Sequence, residues 1–220
     1  MQIQSINNFN GKPQNPNFTA KPLYDVTLMD KLGRKGIKAT VVELEKGNSQ
    51  DILALEEVEK QCDHKNGWKP GAPDQIFFTL FDHFKDRTIS GKDTSKYYAV
   101  TIPDGKNSKI LGCMNASINN TLGFNKALLD DLYVSNNFAH RNSSRDIKGV
   151  GEILVSQAIK FAKEAKAKTL DFLSLADNFY IHSFTSAKLN NTRTENSSNF
   201  HVNSSEFNKY LDFCNKKYGK

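Results

Sequence analysis

Two neighbouring carboxylates in an apolar segment are the side chains of this sequence best suited to move a proton. Asp130 and Asp131 stand together in the segment ALLDDLYVS. Because side chains alternate along a strand, we expect them to face opposite sides of a sheet, so that at most one enters a given cleft. A carboxylate there is able to act as a general base or to attract a cationic amine. The alternative is a structural role, in which one of them caps a helix or pairs with a surface lysine.

A glycine-flanked turn in KGVGE is the second feature with chemical potential. A helix that begins there has backbone N–H groups without helical partners, and its dipole adds partial positive charge. Gly149 and Gly151 would let a phosphate approach without meeting a Cβ, and Lys148, Arg145 and Arg141 would add charge. The spacing therefore predicts a pyrophosphate site, although G-x-G also serves as a tight turn into a helix with no ligand. It matches neither the full dinucleotide fingerprint nor a P-loop.

A strand, a loop, a helix and a second strand must hold these residues. ALLDDLYVS predicts the first strand, and the polar segment NNFAHRNSSRDIK predicts the loop. The helix is predicted over GVGEILVSQAIKFAKEAKAK, whose apolar residues recur at Leu154, Ala158, Phe161, Ala162 and Ala165. TLDFLSL is an apolar run bounded by polar residues, which predicts a fully buried strand of a parallel sheet.

Two β-hairpins and two helices are predicted before this unit. Alternation around LGRKG predicts the first hairpin, with its second strand at Lys38–Leu44, and KYYAVTI with KILGCMNASI predicts the second. SQDILALEEVEKQ and DQIFFTLFDHFKD predict helices capped by Ser49 and Asp74. Residues 1–22 are rich in Asn, Gln and Pro, which predicts a disordered tail ahead of a single domain at 23–220.

The end of the chain is predicted to be mostly helical and polar. NFYIHSFTSAKL predicts a short helix, and NNTRTENSSN predicts a polar loop. A closing helix is predicted over SSEFNKYLDFCNKKYGK, with an apolar face formed by Phe207, Tyr210, Leu211 and Cys214.

Composition and charge narrow the function classes. Hydrophobic residues make up 38% and charged residues 25% of the chain, which is typical of a globular protein. No apolar run is long enough to span a membrane and the N-terminus lacks a signal-like apolar core, so we expect a cytoplasmic protein with no membrane partner. Three scattered cysteines argue against a disulfide framework and a metal site. The net charge of +6 suits an anionic partner, but the lysines form no stripe, which argues against nucleic acid.

The order of these segments resembles the core of the GNAT superfamily of acyl-CoA-dependent N-acetyltransferases. The resemblance rests on ALLDDLYVS, KGVGEILVSQAIKFAKE, TLDFLSL and FYIHSF, and places the core at about 96–184. It implies an α/β fold with a mixed, mostly antiparallel sheet, a splayed strand pair and flanking helices. It also implies acetyl-CoA as co-substrate, with the pantetheine beside Leu132, Tyr133 and Val134. The pyrophosphate would lie on the backbone of Lys148, Gly149, Val150, Gly151 and Glu152, with Arg145 nearby.

The same resemblance implies roles for three side chains. Asp130 would be the base and Asp131 the reserve candidate, while Tyr180 matches the tyrosine that protonates the departing thiolate. His182 is close in sequence but is more simply a polar surface residue. Two departures from the family pattern are visible: Asp146 stands where the family has Gln or Arg, and FYIHSFT lacks the glycine of the family motif.

The expected function is transfer of an acetyl group from acetyl-CoA to a primary amine by direct attack. The acceptor, a small molecule or a peptide or protein amine, is left open, as is the oligomeric state. The two departures favour an alternative, a CoA-binding or regulatory module without turnover. A basic nucleic-acid-binding protein is the second alternative.

Overall fold

Eight strands and five helices make up the described part of the chain. The computed structural model describes residues 19–62, 74–86, 94–105, 107–120, 125–135, 138, 146–174, 176–190, 192–193 and 197–219. The strands are β1 Lys21–Asp30, β2 Lys35–Leu44, β3 Lys96–Asp104, β4 Asn107–Asn119, β5 Lys126–Val134, β6 Ile147–Lys148, β7 Thr169–Leu173 and β8 Asn199–Asn203. The helices are α1 Ser49–Glu59, α2 Gln75–Lys85, α3 Val150–Glu164, α4 Asp177–Ser186 and α5 Phe207–Tyr218.

All eight strands form one sheet, in the order β6-β1-β2-β3-β4-β5-β7-β8. Every neighbouring pair is antiparallel except β5 and β7, which are parallel. A parallel pair needs a crossover connection, and α3 supplies it between β5 and β7. This is the mixed, mostly antiparallel α/β sheet that the resemblance to the GNAT superfamily implied, so the predicted fold class is confirmed.

Helices cover both faces of the sheet and divide the core in two. The larger cluster joins α3, α4 and α5 to one face and is centred on Leu154, Phe184 and Tyr210. The smaller cluster joins α1 and α2 to the other face through Leu55, Phe77 and Phe81. The middle strands are buried on both faces, so successive residues of β3 enter different clusters.

Helix starts differ in detail from the prediction. Asn48, not Ser49, is the N-cap of α1, and its side chain accepts hydrogen bonds from the backbone N–H groups of Gln50 and Asp51. Asp74 precedes α2 as predicted but makes no side-chain cap hydrogen bond. Instead its carboxylate accepts a hydrogen bond from the Tyr133 hydroxyl at 3.3 Å. The change at Asp74 arises because the Tyr133 hydroxyl stands nearby in the fold.

Four strands differ from the sequence-based expectation. The short strand β6 lies at the end of NNFAHRNSSRDIK, which was predicted to be a loop. β1 begins at Lys21, inside the predicted 1–22 tail, while residues 1–18 of that tail lie outside the described residues. β7 is not fully buried as TLDFLSL indicated, because Leu173 is 69% exposed and only alternate side chains face the core. β8 was not predicted, although Phe200 and Val202 alternate with polar residues in it and are both buried.

Candidate active site

The parallel strands β5 and β7 are paired only at their first residues. Lys126–Leu128 align with Thr169–Asp171, and beyond them β5 continues to Val134 and β7 to Leu173 with no further pairing between the two strands as described. The backbone of the second half of β5 therefore presents an open edge toward β7. An edge of this kind offers N–H and C=O groups to a bound molecule that carries amides.

A β-bulge lies where the two strands separate. On β4, Asn115 pairs with Asp131 and Ala116 pairs with Leu129, so Asp130 is the extra residue of the bulge. The expected alternation of side chains is interrupted there: Leu129 packs in the cluster on the α3 side, while Asp131 lies beside Asn115. Bulges are frequent next to active sites because they redirect a side chain without ending the strand.

Asp131 has a perturbed carboxyl group. Burial raises its pKa to about 6, and the negative charge of Asp130 acts in the same direction, while His83 of α2 and a hydrogen bond from Asn115 oppose the increase. At neutral pH the carboxylate is mostly ionised and is a better proton acceptor than an ordinary aspartate. Asp130 is exposed. The structure therefore separates the two adjacent carboxylates by environment.

Tyr133 anchors the end of β5 to the helices on the other face. Its hydroxyl lies 3.6 Å from the Cys62 sulfur, and its ring centroid lies 5.0 Å from that of Phe77. Its side chain is thus structural, and only its backbone belongs to the open edge. Leu132 and Val134 are partly buried against the opposite cluster.

The cysteines are buried thiols. Cys62, Cys113 and Cys214 are all free, and burial raises the pKa of Cys62 to about 11 and that of Cys214 to about 12. A thiol with a raised pKa is a poor nucleophile at neutral pH. Buried thiols of this kind are not suited to act as nucleophiles at neutral pH.

Tyr180 is enclosed by aromatic rings. Its ring centroid lies 4.6 Å from that of Phe172, 4.9 Å from that of Phe179 and 5.5 Å from that of Phe200. The residue is 7% exposed, and burial raises the pKa of its phenol well above the usual range. His182, on the same helix, is exposed.

Aromatic side chains explain both glycines of the KGVGE turn. Gly149 is the N-cap of α3 with φ of 104°, a left-handed conformation that favours glycine. A Cβ on Gly149 would collide with the Tyr218 ring, and a Cβ on Gly151 would lie 2.9 Å from Cζ of Phe179. The glycines are therefore required by packing, whether or not an anion also binds there.

The first turn of α3 is tied to the end of α5. Glu152 is a buried residue that is only 7% exposed. Its carboxylate accepts one hydrogen bond from the Tyr218 hydroxyl and another, at 2.8 Å, from the Lys217 ammonium. Its side chain is thus not turned toward an anion at the helix start. Val150 is buried and Lys148 partly buried, while Arg145 lies outside the described residues.

The glycine turn and the open end of β5 are neighbours in space. Gly112 of β4 pairs with Val134, and a Cβ there would lie 2.7 Å from the Tyr133 carbonyl oxygen and 3.0 Å from Cγ1 of Val150. The contact of Phe179 with Gly151 adds the start of α4 to the same end of the sheet. Two separately predicted parts of the cofactor site therefore lie close together.

Sequence reasoning did not identify three residues of this region. Asn115, His83 and Tyr218 reach the site from β4, α2 and α5. Each is ordinary within its own segment and becomes significant only through its tertiary neighbours. A polar residue in the apolar strand KILGCMNASI was the one available clue to Asn115.

The described ranges contain neither a metal-binding cluster nor a helix able to span a membrane. No group of three or more His, Cys, Asp or Glu side chains within them is arranged to hold a metal ion. None of the helices in those ranges is both long and apolar enough to cross a membrane.

Comparison with known proteins finds similarity at the level of structure. No protein-family model matches this sequence, and no curated protein matches it. Among solved structures, nourseothricin acetyltransferase is 19% identical over 49% of this chain and 63% of that chain, with a TM-score of 0.32. This chain thus spans less than two thirds of that enzyme.

Two further neighbours are aligned over more of their length. An aminoglycoside acetyltransferase from an uncultured soil metagenomic sample is 13% identical over 71% of this chain and 91% of that chain, with a TM-score of 0.43. The N-acetyltransferase PseH of Campylobacter jejuni is 18% identical over 74% of this chain and 95% of that chain, with a TM-score of 0.41. At these identities and TM-scores the matches carry no argument about activity, which has to come from the site.

Proposed function

We propose that this protein transfers an acetyl group from acetyl-CoA to a primary amine, with Asp131 as the general base. One observation carries the proposal: β5 separates from β7 immediately before the bulge at Asp130, and Asp131 is the next residue along the strand. The open edge is a place for an extended, amide-bearing molecule, and the half-buried carboxylate beside it is a proton acceptor.

The reaction needs a base because an aliphatic amine is protonated at neutral pH. With a pKa of about 10.4, the amine loses its proton at pH 7 at a cost of roughly 4.6 kcal/mol. Nitrogen then attacks the thioester carbonyl, the C–N bond forms, the C–S bond breaks, and the amine proton passes to Asp131 or to water. Asp131 suits this role better than Asp130 because it is half-buried, ionised at neutral pH and held by Asn115.

Acetyl-CoA fits the described residues in two places. Its pantetheine amides would pair with the open backbone edge of β5 near Leu132–Val134, and backbone N–H groups there would stabilise charge on the thioester oxygen. Its pyrophosphate would lie at the start of α3, where the N–H groups of Val150–Glu152 precede the first helical bond, from Ile153 to Gly149. Because aromatic rings cover the glycines, the phosphates would approach along the helix axis.

Tyr180 is better suited to packing than to proton donation. A phenol whose pKa is raised by burial gives up its proton less readily than an ordinary tyrosine, while a cysteine thiol has a pKa of only about 8.5. We therefore place Tyr180 in the aromatic cluster that supports β7 and leave protonation of the thiolate to solvent.

Calorimetric titration with acetyl-CoA followed by a thiol-release assay tests the proposal. We expect micromolar binding, and release of free thiol that depends on an added aliphatic amine. Asp131→Asn should keep the affinity for acetyl-CoA and lower the rate of thiol release by roughly a hundredfold or more. The neighbouring Asp130→Asn is the matched control, and we expect it to retain most of the rate.

Two results would contradict this assignment. Wild-type protein that does not bind acetyl-CoA would remove the acyltransferase function altogether. An equal loss in the rate of thiol release in Asp131→Asn and Asp130→Asn would mean that Asp131 is not the base. A Gly149→Glu variant is unsuitable as the binding control, because any side chain at Gly149 meets Tyr218 and disturbs the fold.

A CoA-binding module without turnover is the second candidate. The buried carboxylate of Glu152 at the start of α3 and the enclosed Tyr180 favour it. It predicts binding of acetyl-CoA with no amine-dependent thiol release by the wild-type protein. The titration and the assay together therefore distinguish the two functions.

A further inference from the structure

A buried amide with a free acceptor lies directly beside Asp131. Asn115 of β4 is 3% exposed and stands opposite Asp131 in the β4–β5 pairing. Its side chain hydrogen-bonds the Asp131 carboxylate, and this bond opposes the increase in the carboxyl pKa, so the NH₂ group is the donor. The amide is therefore oriented by Asp131, with its oxygen left to face another partner.

The Asn115 oxygen has no partner within the described part of the chain. Its Oδ1 atom is buried, and no described residue donates a hydrogen bond to it. A buried acceptor that stays unpaired destabilises a fold, so each such atom in a native protein calls for an explanation. The Asn115 oxygen lies next to the bulge and to Asp131, the proposed base. We therefore explain the unpaired oxygen by a hydrogen-bond donor that belongs to a bound ligand.

The charges around this oxygen select the ligand. The amide donates to the Asp131 carboxylate, and Asp130 and the His83 imidazole lie close enough to that carboxylate to act on its charge. The two carboxylates favour a cation, and the free oxygen accepts a hydrogen bond if the cation carries a donor. A primary ammonium group has three N–H donors and a compact charge, which meets both requirements.

We infer that Asn115 binds the ammonium form of the acceptor amine and holds it beside Asp131. One N–H donates to the Asn115 oxygen and a second to Asp131, which places the nitrogen beside its base. Asn115 is thus a substrate-positioning residue, and this inference rests on the proposed function for its chemical meaning.

A titration observed by NMR tests the inference without any turnover. The probe is methylammonium chloride, with tetramethylammonium chloride at the same ionic strength as a control of equal charge and no N–H donor. We expect the side-chain NH₂ signal of Asn115 to shift with methylammonium and to stay unchanged with tetramethylammonium. Equal shifts with both salts, or no shift with either, would overturn the inference.

Asn125 is an internal control in the same spectra. Its Oδ1 is also buried without a described partner, but its NH₂ group is held by the carbonyls of Ala165 and Lys166. Asn125 lies beside the end of α3 and not at the bulge, so its signal should not move. A shift at Asn125 as large as that at Asn115 would mean non-specific binding and would also overturn the inference.

Kinetics of Asn115→Leu gives a second measure that a merely structural role would not produce. We expect the KM for n-butylamine to rise by roughly tenfold or more, with the KM for acetyl-CoA unchanged. An unchanged KM for the amine would contradict the inference. The failures are distinguishable: loss of acetyl-CoA binding removes the proposed function, whereas an absent methylammonium shift with intact acetyl-CoA binding removes only the role of Asn115.

Discussion

Asp131 combines the raised pKa expected of the proposed general base with a cost in stability. Its carboxyl group is ionised at neutral pH although burial disfavours the charge. Burial destabilises the ionised carboxylate, and the hydrogen bond from Asn115 and the charge of His83 offset only part of that destabilisation. A base that is perturbed in this way is expected to lower the stability of the free protein.

Replacement of Asp131 by Asn should therefore stabilise the protein, and the gain should depend on pH. The pKa is raised to about 6 in the folded state, against about 3.9 unfolded, so the native state holds its proton more tightly. Stability of the wild type then falls as pH rises from about 4 to about 6 and is level above that. With a discount for partial exposure, we expect Asp131→Asn to be more stable by on the order of 1–2 kcal/mol at pH 7.

Urea unfolding of the wild type and the variant at a series of pH values measures this gain. The difference between the unfolding free energies of the two proteins should shrink as pH falls through this window and approach its limiting value below about pH 4. The exposed Asp130 provides the control, since Asp130→Asn should change stability less. A difference that does not vary with pH, or a variant that is less stable at pH 7, would refute the raised pKa.

At the scale of elements, the C-terminal helix holds the start of α3. The Tyr218 ring lies over Gly149, and its hydroxyl and the Lys217 ammonium both reach Glu152. An acidic residue in the first turn of a helix also interacts favourably with the helix dipole. Lys217 and Tyr218 therefore belong to the candidate cofactor site, because they contact the first turn of α3 directly.

Gly149→Ala should destabilise the protein by roughly 2–4 kcal/mol, because it combines a left-handed φ with a collision against Tyr218. Gly33→Ala is the matched control, since Gly33 has φ of 81° and nothing within 4 Å of an added Cβ. Gly33→Ala should lower the free energy of unfolding only by the cost of the left-handed backbone conformation, roughly 1–2 kcal/mol.

Removal of the Tyr218 ring should reduce the cost of Gly149→Ala to that of the Gly33 control. Unfolding free energies of both single variants and of Gly149→Ala with Tyr218→Ala give the coupling between the two positions. Strict additivity would show that Tyr218 does not rest on Gly149.

At the scale of the whole molecule, the net charge of +6 favours an anionic co-substrate. A ligand that binds only the native state stabilises it by about 2.7 kcal/mol at a hundred times its dissociation constant. We expect acetyl-CoA to give this gain, and we expect its affinity to weaken as salt is raised from 50 to 300 mM.

Pantetheine, which has no phosphate, is the control for this experiment. Its weaker binding should be nearly independent of salt if the pantetheine arm lies along β5 and the charge acts on the phosphates. Equal salt dependence for both ligands would contradict that division. A DNA oligonucleotide in the same buffers tests the remaining alternative, and binding stronger than that of acetyl-CoA at low salt would support it.

Local patterns in the sequence determined most elements of this fold and their order, with β6 and β8 as exceptions. The repeat of Leu154, Ala158 and Phe161 specifies one apolar face of α3, and the alternation in the hairpins specifies strands, because both periods are properties of neighbouring residues. The carboxylate pair and the glycine turn were visible in the same way, since each lies within a few residues.

Only the tertiary structure decided which of these residues can do chemistry. The bulge at Asp130 depends on the register between β4 and β5, and the open edge depends on where β7 leaves β5. The environment of Asp131 comes from β4 and α2, and the reason for Gly149 comes from the last helix. Such contacts join residues that are far apart in the chain, so no local sequence pattern predicts them. Burial and hydrogen bonding in the folded protein therefore distinguish between candidate residues, such as Asp130 and Asp131, that look equivalent in the sequence.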